Sequence, residues 1–279
     1  MNAQASAAVP TPTVRLRLRI AYDGTQYQGW QTQKSGQGVQ ELVERAIQHL
    51  FPGAGPLQGS SRTDTGVHAL GLVAHVDLPK REWRMTPRKS VLALNAHLPK
   101  DIRIMAAART RAGFHARFDA RGKEYHYRIW NAPAMNPLIQ HFAWHVPRPL
   151  NLAAMRAAAR HFIGRHDFAS FTANPGYARA STHRTLTRCD VRRRASEITI
   201  VIDGDGFLYK MCRSIAGTLV QAGLGRIAPE SIPDILGRRD RSCAGMTAPA
   251  LGLVLLRVHY PRGSNATERG ERPQEPLGE

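Results

Sequence analysis

The chain has 279 residues, and its 39 lysines and arginines against 21 aspartates and glutamates give a formal net charge of +18. This length supplies one large core or two compact halves, and a hydrophobic content of 42% is ordinary for a soluble globular protein. The excess positive charge, most of it arginine, favours nucleic acid as a partner over a membrane surface. A solvated basic face is the alternative interpretation.

Cysteines and histidines form no pattern typical of a disulfide framework or a metal site. Cys189, Cys212 and Cys243 are far apart and include no C-x-x-C pair, and none of the 12 histidines belongs to an H-E-x-x-H motif. Residues 1–12 lack the charged and apolar regions of a signal peptide, and no run of 18 apolar residues occurs. We therefore expect a cytoplasmic protein without a membrane segment.

The first predicted element is a half-buried strand over residues 14–22, where apolar residues alternate with arginines. The following loop, residues 23–30, contains glycines and aromatic residues and suits the rim of a pocket; a simple turn packed by Trp30 is the alternative. An amphipathic helix is predicted over residues 39–50, because the apolar residues there form one stripe.

A polar turn at residues 59–69 leads into a strand-like apolar run. The apolar side chains of that run are at Leu70, Leu72, Ala74, Val76 and Leu78. A second helix is predicted to begin with Thr86 as N-cap and Pro87 in its first turn. Its apolar residues are Val91, Leu92 and Leu94. With a further strand near residues 102–107, this order of elements predicts a mixed α/β fold.

The polar turn contains a candidate nucleophile, Asp64. Gly59 and Gly66 permit backbone dihedral angles that other residues resist, and Ser, Thr and Asp side chains bond readily to nearby backbone, so we expect a fixed loop. The neighbouring Arg62 favours an ionised carboxylate, which suits a nucleophile better than a general acid. His68 is the other neighbour of chemical interest.

Two other interpretations of this loop stay open on the residues alone. In the first interpretation, Asp64 has a purely structural role and closes an Asx turn at the entrance of a strand. Alternatively, Asp64-Thr65-Gly66 is the tripeptide of aspartic proteases, in which two carboxylates share one proton. Because the chain has one copy, a protease requires a homodimer that pairs two such loops, and the net charge is left without an explanation.

The second half of the chain repeats the mixture of strands and helices less regularly. Residues 114–131 interleave basic and aromatic side chains, which suits contacts with a nucleic-acid backbone together with base stacking. Within them, Tyr125, Tyr127 and Ile129 share one face of a strand over residues 124–130. Further strands are predicted over residues 185–194, 197–203 and 251–260, and further helices over 152–162 and 211–220.

Residues 62–69, Arg-Thr-Asp-Thr-Gly-Val-His-Ala, resemble the RTD-A-GVHA signature of the tRNA pseudouridine synthase A family. Other segments resemble family motifs in the same order along the chain. They lie at residues 22–30, 114–118 (Phe-His-Ala-Arg-Phe), 123–125 (Lys-Glu-Tyr), 167–171, 207–213 and 248–253. Together the matches cover nearly all of the chain outside its two tails.

The resemblance implies the pseudouridine synthase fold, an α/β (α+β mixed) architecture. In it, two ferredoxin-like α/β halves with mixed, mainly antiparallel sheets surround a central cleft. We place the N-terminal half, with the Asp loop, at residues 14–131 and the C-terminal half at residues 132–260. Residues 1–13 and 261–279 are predicted to be disordered, and residues 174–181 to be mobile.

The resemblance also implies isomerisation of uridine to pseudouridine at positions 38, 39 and 40 of the tRNA anticodon stem-loop, without a cofactor, by a homodimer that holds one tRNA. Asp64 would be the nucleophile, attacking the ribose or the uracil ring, and Arg213 would pair with it. Tyr125 would stack on the uracil, and Arg62 would support the extruded nucleotide from its place in the stem. A non-catalytic RNA-binding protein of the same fold is the alternative.

Three residues depart from the family's usual pattern. Ser61 replaces Gly or Ala before the arginine, Thr65 replaces Ala after the aspartate, and Ser214 replaces Asn after Arg213. The hydroxyls of Ser61 and Thr65 stand beside the nucleophile in the sequence. They are expected to affect loop geometry or hydrogen bonding, and they remove no charged catalytic group.

Overall fold

A computed structural model describes residues 12–32, 36–174, 176 and 181–261 of the chain. The predicted disordered lead and tail and the predicted mobile segment lie outside these residues except at their edges, where Thr13 already belongs to the first strand. No helix in the described ranges is long and apolar enough to cross a membrane.

The described residues form one mixed sheet. Its strands are β1 (Thr13–Tyr22), β2 (Gln58–Gly59), β3 (His68–Pro79), β4 (Ile102–Arg109), β5 (Gly122–Trp130), β6 (Trp144–His145), β7 (Gly164–Asp167), β8 (His183–Arg194), β9 (Glu197–Gly204) and β10 (Leu253–His259). Their order is β4-β1-β3-β10-β5-β9-β8-β7, with β2 beside β3 and β6 beside β5. Only β3/β10 and β5/β6 are parallel among these pairs. The mixed, mainly antiparallel sheet confirms the predicted fold class.

Helices pack on this sheet. They are α1 (Val39–Leu50), α2 (Pro87–Ala96), α3 (Leu152–Arg160), α4 (Met211–Gly223) and α5 (Ile232–Arg238). The predicted span of α1 is confirmed, and so is the cap of α2, since Thr86 Oγ1 accepts a hydrogen bond from the backbone N–H of Lys89 at 3.3 Å. The helix α4 is buried along most of its length and packs against α3 and β5.

Two apolar residues of the predicted elements are exposed. Leu70 is 54% exposed because β3 carries an extra residue between Ala69 and Leu72, opposite β1, and such a bulge reverses the alternation of side chains. Leu92 is 67% exposed because α2 turns the face with Ser90 and Leu94 inward. Leu92 is two positions from both Ser90 and Leu94, and residues two positions apart lie on different sides of a helix.

The last strand, β10, occupies the centre of the sheet. It lies between β3 and β5, so a C-terminal segment joins strands from the earlier part of the chain. Leu255 pairs with Ala69 on one side and with Tyr125 on the other. This register places the beginning of β3, and the Asp64 loop before it, close to the middle of β5. The predicted shared face of Tyr125, Tyr127 and Ile129 is confirmed, since all three are buried.

Candidate active site

Backbone contacts hold the Asp64 loop in place. The N–H of Val67 donates to the carbonyl of Asp64 at 3.1 Å, and the N–H of Trp30 donates to the carbonyl of Thr63 at 3.3 Å. Gly29 has φ +86°, and a Cβ at this position would lie 2.3 Å from the Thr63 oxygen. The close approach of the loop that ends in Trp30 therefore requires glycine, and it supports the polar turn from one side.

Aromatic side chains fill the space below the turn. The Tyr22 hydroxyl lies 2.8 Å from Oγ1 of Thr63, and the Tyr22 ring stacks against Trp30 with centroids 6.3 Å apart. Trp30 is only 2% exposed. A Cβ at Gly59 would lie 2.5 Å from Nε1 of Trp30, so a glycine is needed where β2 crosses the indole. The loop thus rests on a packed support rather than on solvent.

Asp64 forms an ion pair with Arg213, which is 149 residues later in the chain. The distance from Nη1 of Arg213 to Oδ2 of Asp64 is 3.1 Å, and both side chains are mostly buried. The Nε of Arg213 donates to the carbonyl of Ala248 at 2.8 Å, while the N–H of Ala248 donates to the carbonyl of Arg213 at 3.0 Å. The guanidinium is therefore fixed from two sides.

The close contact between α4 and the segment before Ala248 depends on Gly217. A Cβ at Gly217 would lie 1.8 Å from the carbonyl oxygen of Met246, which no side chain tolerates without movement. The hydroxyl of Thr218, next to it on α4, accepts a hydrogen bond from the N–H of Gly245 at 3.0 Å. These contacts place the carbonyl that orients Arg213.

Arg62 does not supply the charge partner expected from its position in the sequence. Its side chain is exposed and forms no ion pair with Asp64. His68 is likewise engaged elsewhere: its Nδ1 accepts from the N–H of Gly24 at 3.0 Å, and its Nε2 lies 3.1 Å from the carbonyl of Leu251. The Nδ1 of His68 also lies 3.1 Å from Oδ1 of Asp23.

Tyr125 lies near Asp64 on the buried face of β5. Burial raises the pKa of its hydroxyl far above the ordinary value, with further raising contributions from Cys212 and Asp64, so the phenol is neutral at physiological pH. Ser61 lowers the pKa of Tyr125 in part, although the Ser61 Oγ makes no hydrogen bond of normal geometry to the described residues. The Tyr125 ring meets Phe207 edge-on at 5.0 Å between centroids.

Two more ionisable groups lie around this site. Burial raises the pKa of the Cys212 thiol well above its usual value, and the charge of Asp64 adds to the effect, so the thiol stays protonated. Burial, together with Arg117 and Arg184, lowers the pKa of Lys123 to about 8. The site therefore holds one carboxylate among largely neutral or positive groups.

The other face of β5 carries a group of possible metal ligands. Glu124, Asp203 and His259 have donor atoms within 4.8 Å of one another. His259 Nε2 lies 2.7 Å from Oδ2 of Asp203, and His126 Nε2 lies 2.8 Å from Oε1 of Glu124. These side chains satisfy one another as histidine–carboxylate pairs, and they point away from Tyr125 because neighbouring residues of a strand alternate between faces.

Some supporting residues have no role assigned by the sequence analysis. Tyr22 and Ala248 belong to the matched motifs, but nothing in the motifs indicates that they contact Thr63 and Arg213. Only their place in a motif marks these residues in the sequence, because each contact joins segments that are distant in the chain. Cys212 gives no signal beyond its position beside Arg213.

The sheet thus carries a carboxylate that is paired with a guanidinium beside a buried tyrosine, and carboxylates are among the side chains that act as nucleophiles in enzymes. A family model described as tRNA pseudouridine synthase matches residues 19–119 and 158–261, which include Asp64 and Arg213. The chain therefore belongs to the tRNA pseudouridine synthase family, and it is an isomerase that converts uridine to pseudouridine.

Individual relatives support the same assignment. A tRNA pseudouridine synthase A of Acetivibrio thermocellus is 42% identical over 249 residues, which cover 88% of this chain and 99% of the relative. Proteins of the same name from Pelobacter propionicus (45% over 249 residues, covering 88% and 99%) and Paramagnetospirillum magneticum (44% over 247 residues, covering 88% and 95%) are also similar. The family indicated by the sequence motifs is thus confirmed.

Proposed function

We propose that Asp64 is the nucleophile with which this isomerase converts uridine to pseudouridine in the anticodon stem-loop of tRNA, at positions 38, 39 and 40. The observation that carries the proposal is the ion pair of Asp64 with Arg213 at 3.1 Å, beside a buried tyrosine and at the junction of β3, β10 and β5. The relatives' name, tRNA pseudouridine synthase A, supports tRNA as the substrate.

The reaction is balanced without any other reactant. The bond from C1′ to N1 breaks, the uracil turns, and a bond from C1′ to C5 forms; the hydrogen on C5 leaves as a proton, and N1 gains a proton. Because the same base is detached and reattached, no cofactor is consumed. Asp64 forms a transient covalent bond to the ribose or to the uracil ring, and this bond is broken again before release of the product.

The surrounding groups have distinct roles in this proposal. Arg213 keeps the carboxylate of Asp64 charged and oriented, because its other donor is fixed on the carbonyl of Ala248. Tyr125 stacks on the uracil as a neutral phenol. Arg62, whose side chain is exposed, takes the place of the extruded nucleotide in the stem.

Substrate binding relies on the net charge of +18. Extruding a nucleotide from a helix costs a few kcal/mol, and contacts of basic side chains with phosphates offset this cost. We further propose that the protein works in the cytoplasm as a homodimer that holds one tRNA across both subunits. Both follow from the resemblance to the family.

The first test measures release of tritium from tRNA labelled at C5 of uridine, with the product mapped by carbodiimide primer extension. We expect the Asp64→Ala variant to release no tritium, because the nucleophile is missing. The variant should still bind tRNA. Asp101→Ala, which changes a carboxylate paired with Tyr27 instead, is the matched control and should retain release.

Release by Asp64→Ala at the wild-type rate would contradict the role of Asp64. Tight binding of tRNA by the wild-type protein with no release would instead favour the non-catalytic RNA-binding protein. The aspartic protease alternative requires two carboxylates that share a proton, whereas the partner of Asp64 is a guanidinium.

A further inference from the structure

A basic cavity of about 750 Å³ lies at the β7 edge of the sheet. Its wall is formed by the end of α3, by β7, by the start of β8 and by α5. The wall contains three arginines and three histidines: Arg160, Arg165, Arg239, His161, His166 and His183. We propose that this cavity binds phosphate groups of the tRNA backbone away from the nucleotide that reacts, an inference that rests on the proposed function for the identity of the RNA.

The charges of the wall favour an anion. Asp167 is the carboxylate of the lining, and its Oδ2 lies 2.9 Å from Nε of Arg239. The exposed side chains of Arg160 and Arg165 form no ion pair or hydrogen bond within the described part of the chain, so their donors are available. A guanidinium group binds two oxygens of a phosphate at once. Because the wall has three arginines and one carboxylate, its net charge is positive even when its histidines are neutral.

The lining also indicates which part of a nucleic acid it contacts. The residues of the wall include no Phe, Tyr or Trp in the described ranges. Proteins bind unpaired bases by stacking them on aromatic rings, whereas phosphates need only positive charge and hydrogen-bond donors. With three arginines and no Phe, Tyr or Trp in its wall, the cavity therefore fits the sugar–phosphate backbone.

Strand register relates the cavity to the candidate active site. β7 is three strands away from β5, which corresponds to about 14 Å across the sheet. Arg165 pairs with Thr185, and the next residue of β8, Leu186, pairs with Gly204, which pairs in turn with Lys123. The cavity is thus on the order of 20 Å from Tyr125, a length that roughly six stacked nucleotides span at about 3.4 Å each.

The packing of two helices connects the cavity to the candidate active site. The helix α3, which ends at the cavity with Arg160, packs against α4, which carries Arg213. We propose that an RNA that places a uridine at Asp64 rests its backbone in the cavity. Binding at the cavity should affect affinity for tRNA and leave the chemical step unchanged.

The test compares Arg160→Gln/Arg165→Gln with Arg88→Gln/Arg194→Gln, a control that removes the same charge from exposed positions on α2 and at the far end of β8. Fluorescence anisotropy gives the Kd for full-length tRNA at several salt concentrations. We expect the cavity variant to bind about tenfold more weakly and to lower the slope of log K against log salt by about 1 to 2, since each phosphate contact contributes about 0.9. The control should change Kd by less than about threefold.

Two outcomes overturn the inference. One is a cavity variant whose Kd and salt slope equal those of the control. The other is a phosphate experiment at constant ionic strength in which inorganic phosphate protects the cavity arginines from an arginine-modifying reagent but does not compete with tRNA. That result would make the cavity a site for a free anion.

The same series separates this inference from the proposed function. A single-turnover rate at saturating tRNA that is unchanged in the cavity variant supports a role in binding alone. If the wild-type protein forms no pseudouridine while the cavity variant still loses affinity, the proposed reaction fails and the RNA site stands. If pseudouridine forms normally and the variant binds like the control, only the RNA site fails.

Discussion

At the scale of single residues, the decisive contact is the one that sets the geometry of Asp64. The carboxylate has a free neighbour in the sequence, Arg62, yet it pairs with Arg213 from a helix that follows much later. Arg213 is better suited to orient the carboxylate of Asp64 because its Nε is already held by the carbonyl of Ala248. A guanidinium with two fixed contacts presents its remaining donors in one direction.

Replacing Arg213 by lysine tests this geometry at constant charge. A lysine ammonium cannot hold Ala248 and orient Asp64 with the same planar fork, so we expect Arg213→Lys to lower kcat by about 10²-fold, with a smaller change in KM. The measurement is tritium release under single-turnover and steady-state conditions. Arg213→Lys with wild-type kcat would show that charge alone is sufficient, and Arg128→Lys, whose ion pair with Glu197 lies elsewhere, is the control.

At the scale of elements, a buried histidine joins β3 to the turn at residues 114–118. His75 is 4% exposed, and its Nδ1 accepts a hydrogen bond from the N–H of Ala116 at 3.1 Å. Burial, followed by the charges of Arg15 and His115, lowers the pKa of His75 to about 4. Because Nδ1 must be unprotonated to accept this bond, protonation opposes the contact between the two elements.

This linkage predicts a loss of stability in acid. The unfolded chain binds a proton at His75 near pH 6.5 and the folded chain only near pH 4, so this residue's contribution is present above pH 6.5 and falls as the pH drops towards 4. We expect a contribution on the order of 1 to 3 kcal/mol to the difference in unfolding free energy between pH 7 and pH 4.5.

The check is urea unfolding of the wild type and of His75→Asn at both pH values. The Asn side-chain oxygen can accept the same hydrogen bond but does not titrate, so the variant should lose less stability in acid than the wild type. An identical acid dependence in the two proteins would rule out His75 as the titrating group.

At the scale of the whole molecule, the last strand, β10, joins two strands from earlier in the chain at the candidate active site. The strand β10 lies between β3 and β5. Its Leu255 pairs with Ala69, near the Asp64 loop, on one side and with Tyr125 on the other. β5 itself pairs with β9 as well as β10. The division into halves at residues 131 and 132 stays a prediction, and the two parts of the chain share one continuous sheet in the described residues.

The net charge of the whole molecule predicts how affinity for tRNA depends on salt. With an excess of 18 positive charges, binding should release many counterions from the RNA. We expect the association constant for tRNA to fall by about 10³-fold or more between about 50 and 200 mM salt, and Asp64→Ala to show the same slope. A slope near zero, measured by anisotropy, would contradict electrostatic binding.

The sequence by itself determined the local elements and the family. The alternating pattern of β1, the stripe of α1 and the cap at Thr86 depend on residues a few positions apart, so the sequence alone predicts them. The motif around Asp64 likewise identified the family, because its residue types are contiguous. By the same logic, periodicity failed at Leu70, where a bulge depends on pairing with another strand.

Only the tertiary structure decided which distant groups meet. No local rule places β10 in the middle of the sheet, pairs Arg213 with Asp64, or gathers the arginines of the basic cavity from α3, β7 and the end of α5. Their positions depend on how strands pair and how helices pack across long separations in sequence. Residue type indicates what chemistry is available, and packing decides which side chains are close enough to perform it.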